Sequence, residues 1–346
     1  MTQDQTHRIL ITRLSAIGDC VLTLPVVCAL RSHFPEAFLA WVVEPGGAQI
    51  LRQHPCIDEL IVIDKRWYNS PRGIQEVRRQ LRSYRFDVVV DPQSLSKSSV
   101  VGWLTGAPRR IGFSSPFGRE LAPWLNNELV TRSVPHVVTG NLQLLERLGI
   151  TSPRVRFDLA ADSPADAKIG DWLRHSGMNS RFALLNIGAS CDARRWPPER
   201  FGELARALKT RKGLPSVIVW AGQERAAAEQ AVAASAGTAI LAPDTTLQEL
   251  VALSQRASLF VGSDTGPLHI AVAVGTPCVG LYGVTNPLVS GPFGPSHRIV
   301  TAPNVRWLDP LKQPFSKSRT DDNSIMQTIP TSDVLSACEE TMPLAA

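Results

Sequence analysis

Short runs of consecutive apolar residues alternate with stretches in which apolar residues recur every three or four positions, and this rhythm fills most of the chain. Ile9–Thr12, Phe38–Val43, Glu59–Ile63, Phe86–Val90 and Arg110–Gly112 predict strands. Val21–Arg31, Ile74–Arg82, Ser98–Thr105 and His136–Leu148 predict helices. Ser152–Pro164 breaks the rhythm with two prolines and an acidic, alanine-rich tail, and reads as a linker. The alternation then restarts. Phe182–Ile187, Ser216–Trp220, Ile240–Leu241, Leu259–Gly262 and Cys278–Tyr282 predict strands, and Pro198–Leu208, Glu224–Ala234, Leu247–Arg256 and Pro267–Val274 predict helices. Ser290–Asn323, rich in proline and polar residues, predicts irregular chain, and Thr331–Thr341 a last helix capped by Ser332 or Asp333.

Apolar strands alternating with helices imply parallel sheets covered on both faces. The fold class is therefore α/β, with two doubly wound domains at residues 1–158 and 159–330. The segment 331–346 supplies a terminal helix that could pack back on the N-terminal domain. In such sheets ligands bind beyond the carboxyl ends of the strands.

Two strand-to-helix loops carry the chemistry. Leu259-Phe260-Val261 runs into Gly262-Ser263-Asp264-Thr265-Gly266-Pro267 and then an apolar helix. Thr265 suits the cap, Pro267 the first turn, and Gly262 and Gly266 permit close approach to the backbone. Free N–H groups and a positive dipole end there form an anion site, or else the segment is an ordinary turn. Arg8–Thr12 likewise leads through Arg13-Leu14-Ser15-Ala16-Ile17-Gly18-Asp19 into the first helix. Neither loop is a G-x-x-x-x-G-K-S/T phosphate cradle or a G-x-G-x-x-G dinucleotide fingerprint. Both fall at strand carboxyl ends and are expected to face one interdomain cleft.

Composition narrows the partners. The net charge is +5 and the pI about 9.0, a mild excess that suits an anionic small molecule, phosphorylated lipid or membrane surface. It gives no case for nucleic acid. Six cysteines form no C-x-x-C pair and read as buried free thiols in a reducing, cytoplasmic setting. The polar start, Thr2–Arg8, does not read as a signal peptide, and no apolar stretch is long enough to span a bilayer. The histidines show no metal-ligand spacing. No cofactor or metal is expected.

From Arg8 to about Leu335 the chain resembles the lipopolysaccharide heptosyltransferases of glycosyltransferase family 9. The resemblance rests on RLSAIGD (Arg13–Asp19), WVVE (Trp41–Glu44), DPQSLSKS (Asp91–Ser98), RRWP (Arg194–Pro197), WAGQE (Trp220–Glu224), SDTGPLH (Ser263–His269) and YGVTNP (Tyr282–Pro287). It implies a GT-B fold, two Rossmann-like domains around a cleft. It also implies transfer of L-glycero-D-manno-heptose from ADP-heptose to the lipid A-Kdo inner core. WVVE, the following Gly46–Ile50 and Lys65-Arg66-Trp67 are closer to the first heptosyltransferase than to the second. The second enzyme's cysteine-bearing segment near Pro314 is missing, and Arg195 stands where the first more often has histidine.

Inverting transfer needs a carboxylate to take the acceptor hydroxyl's proton, and the family position points to Asp19, which could also be a helix cap. Without a metal, departing diphosphate needs cations and a helix N-terminus. Arg194 stands at the family's phosphate-binding lysine position. Arg195 could share that work or be a solvated charge, and Ser190 could add a hydroxyl. The family places a ribose-binding glutamate at Glu224, which reads equally as a first-turn helix glutamate, and the adenine at Thr245, Thr246 and Leu247, which read equally as polar caps of the helix Leu247–Arg256. Thr265 and the N–H groups near Gly266 would hold diphosphate, and Asp264 would order the loop or meet the donor sugar. His269 is a donor-side candidate that reads equally as a core histidine. Lys65, Arg66, Lys97 and Arg119 could bind Kdo carboxylates or lipid A phosphates, or be surface charges. The protein is expected to be a cytoplasmic monomer with peripheral contact at the inner membrane surface. Alternatives are a family 9 transferase with another nucleotide-sugar donor, a GT-B nucleotide-sugar epimerase, and a non-catalytic nucleotide-sugar-binding protein.

Overall fold

A computed structural model gives the fold and describes residues 7–178, 181–312 and 322–342. The polar residues before His7 and the segment around Pro314, both used in the sequence reading, lie outside the described residues. Two compact units divide between Asp158 and Leu159, each built on a six-stranded parallel sheet.

Unit 1 contains β1 (Arg8–Thr12), β2 (Phe38–Val43), β3 (Glu59–Val62), β4 (Val88–Asp91), β5 (Arg109–Phe113) and β6 (Glu128–Val130). Its helices are α1 (Ile17–His33), α2 (Pro45–Leu51), α3 (Pro71–Ser83), α4 (Ser96–Leu104), α5 (Ala122–Leu125) and α6 (Val137–Gln143). The strand order is β3-β2-β1-β4-β5-β6. Ile9–Ile11 and Val88–Val90 are fully buried because helices cover both faces of the sheet. On one face, Val77 and Leu81 of α3 and Val101 and Leu104 of α4 pack on Leu10, Val42 and Val89.

Unit 2 contains β7 (Ala183–Asn186), β8 (Ser216–Val219), β9 (Ala239–Leu241), β10 (Leu259–Ser263), β11 (Cys278–Tyr282) and β12 (Arg298–Thr301). Its helices are α7 (Ser163–His175), α8 (Pro198–Lys212), α9 (Arg225–Ala234), α10 (Leu247–Arg256), α11 (Gly266–Ala273), α12 (Pro287–Ser290), α13 (Ser324–Gln327) and α14 (Thr331–Thr341). The order is β12-β11-β10-β7-β8-β9. Strand order therefore reverses at β1/β4 in unit 1 and at β7/β10 in unit 2, the switch points where open α/β sheets present ligand sites.

Three expectations are corrected. The segment expected to be irregular contains β12, an edge strand in register with β11, from Val279↔Arg298 to Tyr282↔Thr301. The predicted linker ends inside α7, which Asp162 caps by accepting the Ala165 N–H at 2.8 Å. Pro330, not Ser332 or Asp333, occupies the cap position of α14. That helix packs within unit 2. Val334, Leu335 and Cys338 join Val279, Leu281 and Val300 in one core cluster, which uses up its apolar face.

Candidate active site

The first loop is built at the β1/β4 switch point. Leu14 N–H donates to Gln93 Oε1 at 2.8 Å, and Trp41 Nε1–H donates to the Arg13 carbonyl at 3.0 Å. The DPQSLSKS segment thus braces RLSAIGD. Its own anchor is Asp91, fully buried, which accepts from Ser94 N at 2.9 Å, Ser99 Oγ at 2.5 Å and Asn126 Nδ2 at 3.2 Å. Burial pushes the Asp91 carboxyl above its usual range, and these donors only partly offset that.

Asp19 sits in the first turn of α1 with its side chain 42% exposed. Its carboxylate pairs with Arg13 at 2.7 Å and accepts the Ala16 N–H at 3.3 Å. The cap interaction is real, yet the carboxylate remains open to solvent at the carboxyl edge of the sheet. Arg13 is 11% exposed and also donates to the Pro92 carbonyl at 3.3 Å, so it is a fixed partner. A second guanidinium, Arg132, lies over the Phe117 ring at 4.4 Å. Burial first, and the charge of Arg13 second, bring its pKa down to about 10, leaving it cationic at neutral pH.

The acceptor-side candidates also follow strand carboxyl ends. Lys65 and Arg66 are exposed after β3, and Arg119 is exposed after β5, its N–H donating to the Ser94 carbonyl at 3.0 Å. Lys97, in the first turn of α4, is committed. It pairs with the buried Glu44, donates to the Lys65 carbonyl at 3.0 Å, and lies 5.0 Å from the Tyr68 ring centroid. Lys97 therefore ties the WVVE and DPQSLSKS motifs together.

In unit 2 the candidates gather after β7, β8 and β10. Glu224 is 17% exposed and accepts the N–H groups of Ala189 and Ala221, both at 3.1 Å. It lies so close to Gly188 that a Cβ there would collide with its carboxylate. Ser190 is exposed in the same loop. Arg195 pairs with Asp192, donates to the Ala189 carbonyl at 3.4 Å, and stands 3.8 Å from Glu224. Arg194 pairs with the Asp264 carboxylate at 3.5 Å and donates to its carbonyl at 3.2 Å.

Asp264 is the hub. Its carboxylate takes the Ser290 hydroxyl at 3.0 Å and lies 3.5 Å from His269 Nε2. Burial opposes its charge, but His269, Arg194 and Ser290 together hold it below the ordinary aspartate range. Tyr282 OH donates to the Ser290 carbonyl at 2.8 Å, so the YGVTNP segment supports Asp264 from behind. His269 is 5% exposed, and its Nδ1 has no partner among the described residues.

Thr265 holds the cap position of α11 but makes no capping bond. Its hydroxyl donates to the Ser263 carbonyl at 3.2 Å and accepts from Asn186 Nδ2 at 3.4 Å. The helix end is left without a side-chain cap, and Arg194 reaches the Asp264 carbonyl beside it. Thr245 is half-buried between β9 and α10, while the cap of α10 is its neighbour Thr246, which accepts the Glu249 N–H at 3.2 Å.

Arg13, Arg132, Asn186 and Ser290 were not singled out from the sequence. Arg13 lay inside the RLSAIGD motif; the others gave no local signal. Five of the six cysteines are buried and all are free, as read from their spacing. The sulfurs of Cys28 and Cys56 and an Asp158 oxygen come within 4.8 Å of one another, a grouping no spacing motif marks. Among the described residues, no helix is long and apolar enough to cross a membrane.

Comparison with known proteins places the chain. Residues 74–313 match the model of glycosyltransferase family 9 (heptosyltransferase), so the chain belongs to that family and is a glycosyltransferase. It is 29% identical over 297 residues to the lipopolysaccharide core heptosyltransferase OpsX of Haemophilus influenzae, covering 84% of this chain and 83% of that one. It is 27% identical over 305 residues to lipopolysaccharide heptosyltransferase 1 of Pseudomonas aeruginosa, covering 84% and 82%. Among solved structures, a family 9 glycosyl transferase from Veillonella parvula superposes with a TM-score of 0.81 at 25% identity, covering 97% of both chains. The E. coli heptosyltransferase WaaC, captured with ADP-2-deoxy-2-fluoro heptose, shares the fold with a TM-score of 0.74 at 23% identity. It covers 97% of this chain and 100% of the other. The GT-B class, with two Rossmann-like domains, is thereby established.

Proposed function

We propose that the protein is an inverting, metal-independent heptosyltransferase that moves L-glycero-D-manno-heptose from ADP-heptose to the Kdo-bearing inner core of lipopolysaccharide. The observation that carries this reading is the arrangement after β7, β8 and β10. An uncapped helix N-terminus, the Arg194 guanidinium and the Glu224 carboxylate meet at one sheet edge. Helix end and arginine suit a diphosphate, and the glutamate suits ribose hydroxyls. Relatives named for heptose transfer support the sugar, and the ADP-sugar ligand of a protein with the same fold is consistent with the nucleotide.

Asp19 is the proposed base. As the acceptor hydroxyl attacks the anomeric carbon, its proton passes to the carboxylate, and ADP leaves from the opposite face. Arg13 holds Asp19 in place. Arg194 and the α11 N–H groups counter the charge that grows on the diphosphate. Thr245 would flank adenine, and Arg195 and Ser190 would line the phosphate loop. Asp264 and His269 order that loop from within. Lys65, Arg66 and Arg119 would meet acceptor carboxylates or phosphates, and Lys97 keeps their loops in register.

A donor competition with chelator present tests the reading. Transfer should proceed in EDTA, with ADP-heptose preferred over UDP- and GDP-linked sugars. Activity that disappears with EDTA and returns with magnesium, or a preference for another nucleotide, would refute it.

A further inference from the structure

Unit 1 carries a surface that its sheet chemistry leaves unexplained. Helix α3 buries only Val77 and Leu81 and turns Arg72, Arg78, Arg79 and Arg82 to solvent. Arg85 follows, also exposed. Among the described residues only Arg79 of these five has an acidic partner, Glu76 on the same helix. Arg82 and Arg85 line a shallow cavity of about 390 Å³ with Phe86, Thr105 and Gly106. Next to it in the chain is Trp103 of α4, 52% exposed, whose carbonyl accepts the Gly106 N–H at 3.1 Å. Helix α4 packs against α3 on one side and α5 on the other. On the α5 side Leu121 is 56% exposed and Trp124 86% exposed.

We infer that the α3–α4–α5 face of unit 1 docks on an anionic lipid bilayer, with the arginines on lipid phosphates and Trp103, Leu121 and Trp124 in the headgroup boundary. Several unpaired cations on one amphipathic helix are the pattern that anionic lipid attracts. Tryptophan suits the boundary because its ring is apolar and its N–H is polar. Duplex nucleic acid would meet the cations with its phosphates but keeps its bases stacked inside, leaving Trp103, Leu121 and Trp124 without apolar cover, so the combination favours a membrane. The inference extends the proposed function, since a lipid A-linked acceptor resides in a bilayer, but its test does not depend on catalysis.

The experiment is vesicle co-sedimentation of the full chain with phosphatidylglycerol-rich and pure phosphatidylcholine vesicles, at low and high salt. Binding should require phosphatidylglycerol and weaken with salt. Arg78→Gln with Arg82→Gln should lower partitioning about 25-fold, at roughly fivefold for each cation. Trp124→Ser should lower it further. Activity on a delipidated, water-soluble Kdo acceptor should be unchanged in these variants, which also shows that they fold. Equal binding to neutral vesicles, no binding to either, or unaltered binding by the variants would overturn the inference. Capture by duplex DNA in preference to vesicles would do so as well. If the wild-type chain binds vesicles as stated but transfers nothing to any acceptor, the proposed function fails and the docking surface stands.

Discussion

At the scale of residues, the two carboxylates Asp19 and Asp264 show how burial divides labour. Asp264 is enclosed and satisfied by Arg194, His269 and Ser290, so it has little capacity left for a substrate and acts on the loop around it. Asp19 has one strong partner and stays open. Replacing Asp19 with Asn should lower kcat by about 10²–10⁴-fold while calorimetry shows near-normal ADP binding. Retained turnover would make Asp19 only a helix cap. Arg194→Ala should cost both donor affinity and kcat, because it opposes charge that grows in the transition state. Glu224→Ala should act mainly on affinity; equal kcat losses with unchanged affinity in both would contradict the assignment. For Asp264 the folded pKa is depressed, so its stabilising contribution is complete above the ordinary aspartate value of about 3.9 and fades as pH falls through the folded value. Asp264→Asn should thus lower the urea midpoint at pH 7, and the gap to wild type should narrow toward the lowest pH the fold survives. A gap that widens on acidification would refute this.

At the scale of elements, the loop after β7 depends on what is missing as much as on what is present. Gly188 has no side chain, and Glu224 occupies that space while holding Ala189 by its N–H. Gly188→Ala should displace the carboxylate and weaken ADP binding, with little change in α-helical circular dichroism; unchanged affinity would show that this contact is idle. Elements were legible where periodicity was long and the ends were marked. Phe38–Val43, Leu247–Arg256 and Cys278–Tyr282 match the predicted bounds, because β-branched and aromatic runs or a Thr246 capping box mark them. The strand β12 was hidden because an edge strand of four residues, half of them exposed, has too little apolar signal amid prolines. The helix α2 was hidden by Gly46-Gly47. Gly47 is there because a Cβ would press on Val43 and Cys20. The terminal helix was visible but not its destination, since a helix face states that it will be buried and not against what.

At the scale of the whole molecule, both units use one design: a parallel sheet whose strand order reverses, with the candidate site residues at the carboxyl edge of the switch point. The first strand of each half delivers a loop, and a second segment from across the switch braces it. In unit 1 Gln93 braces Leu14, and in unit 2 Asn186 binds Thr265. These pairings join residues 79 apart in sequence in both cases, which is why the motifs were readable and their pairing was not. In the proposed function the base belongs to unit 1 and the groups assigned to the diphosphate belong to unit 2. The most direct test is mass spectrometry of a Kdo-lipid A acceptor after incubation with ADP-heptose and EDTA. The account predicts a gain of one heptosyl residue with wild-type protein and almost none with Asp19→Asn. An unmodified acceptor with wild-type protein, or equal gain with the variant, would contradict it.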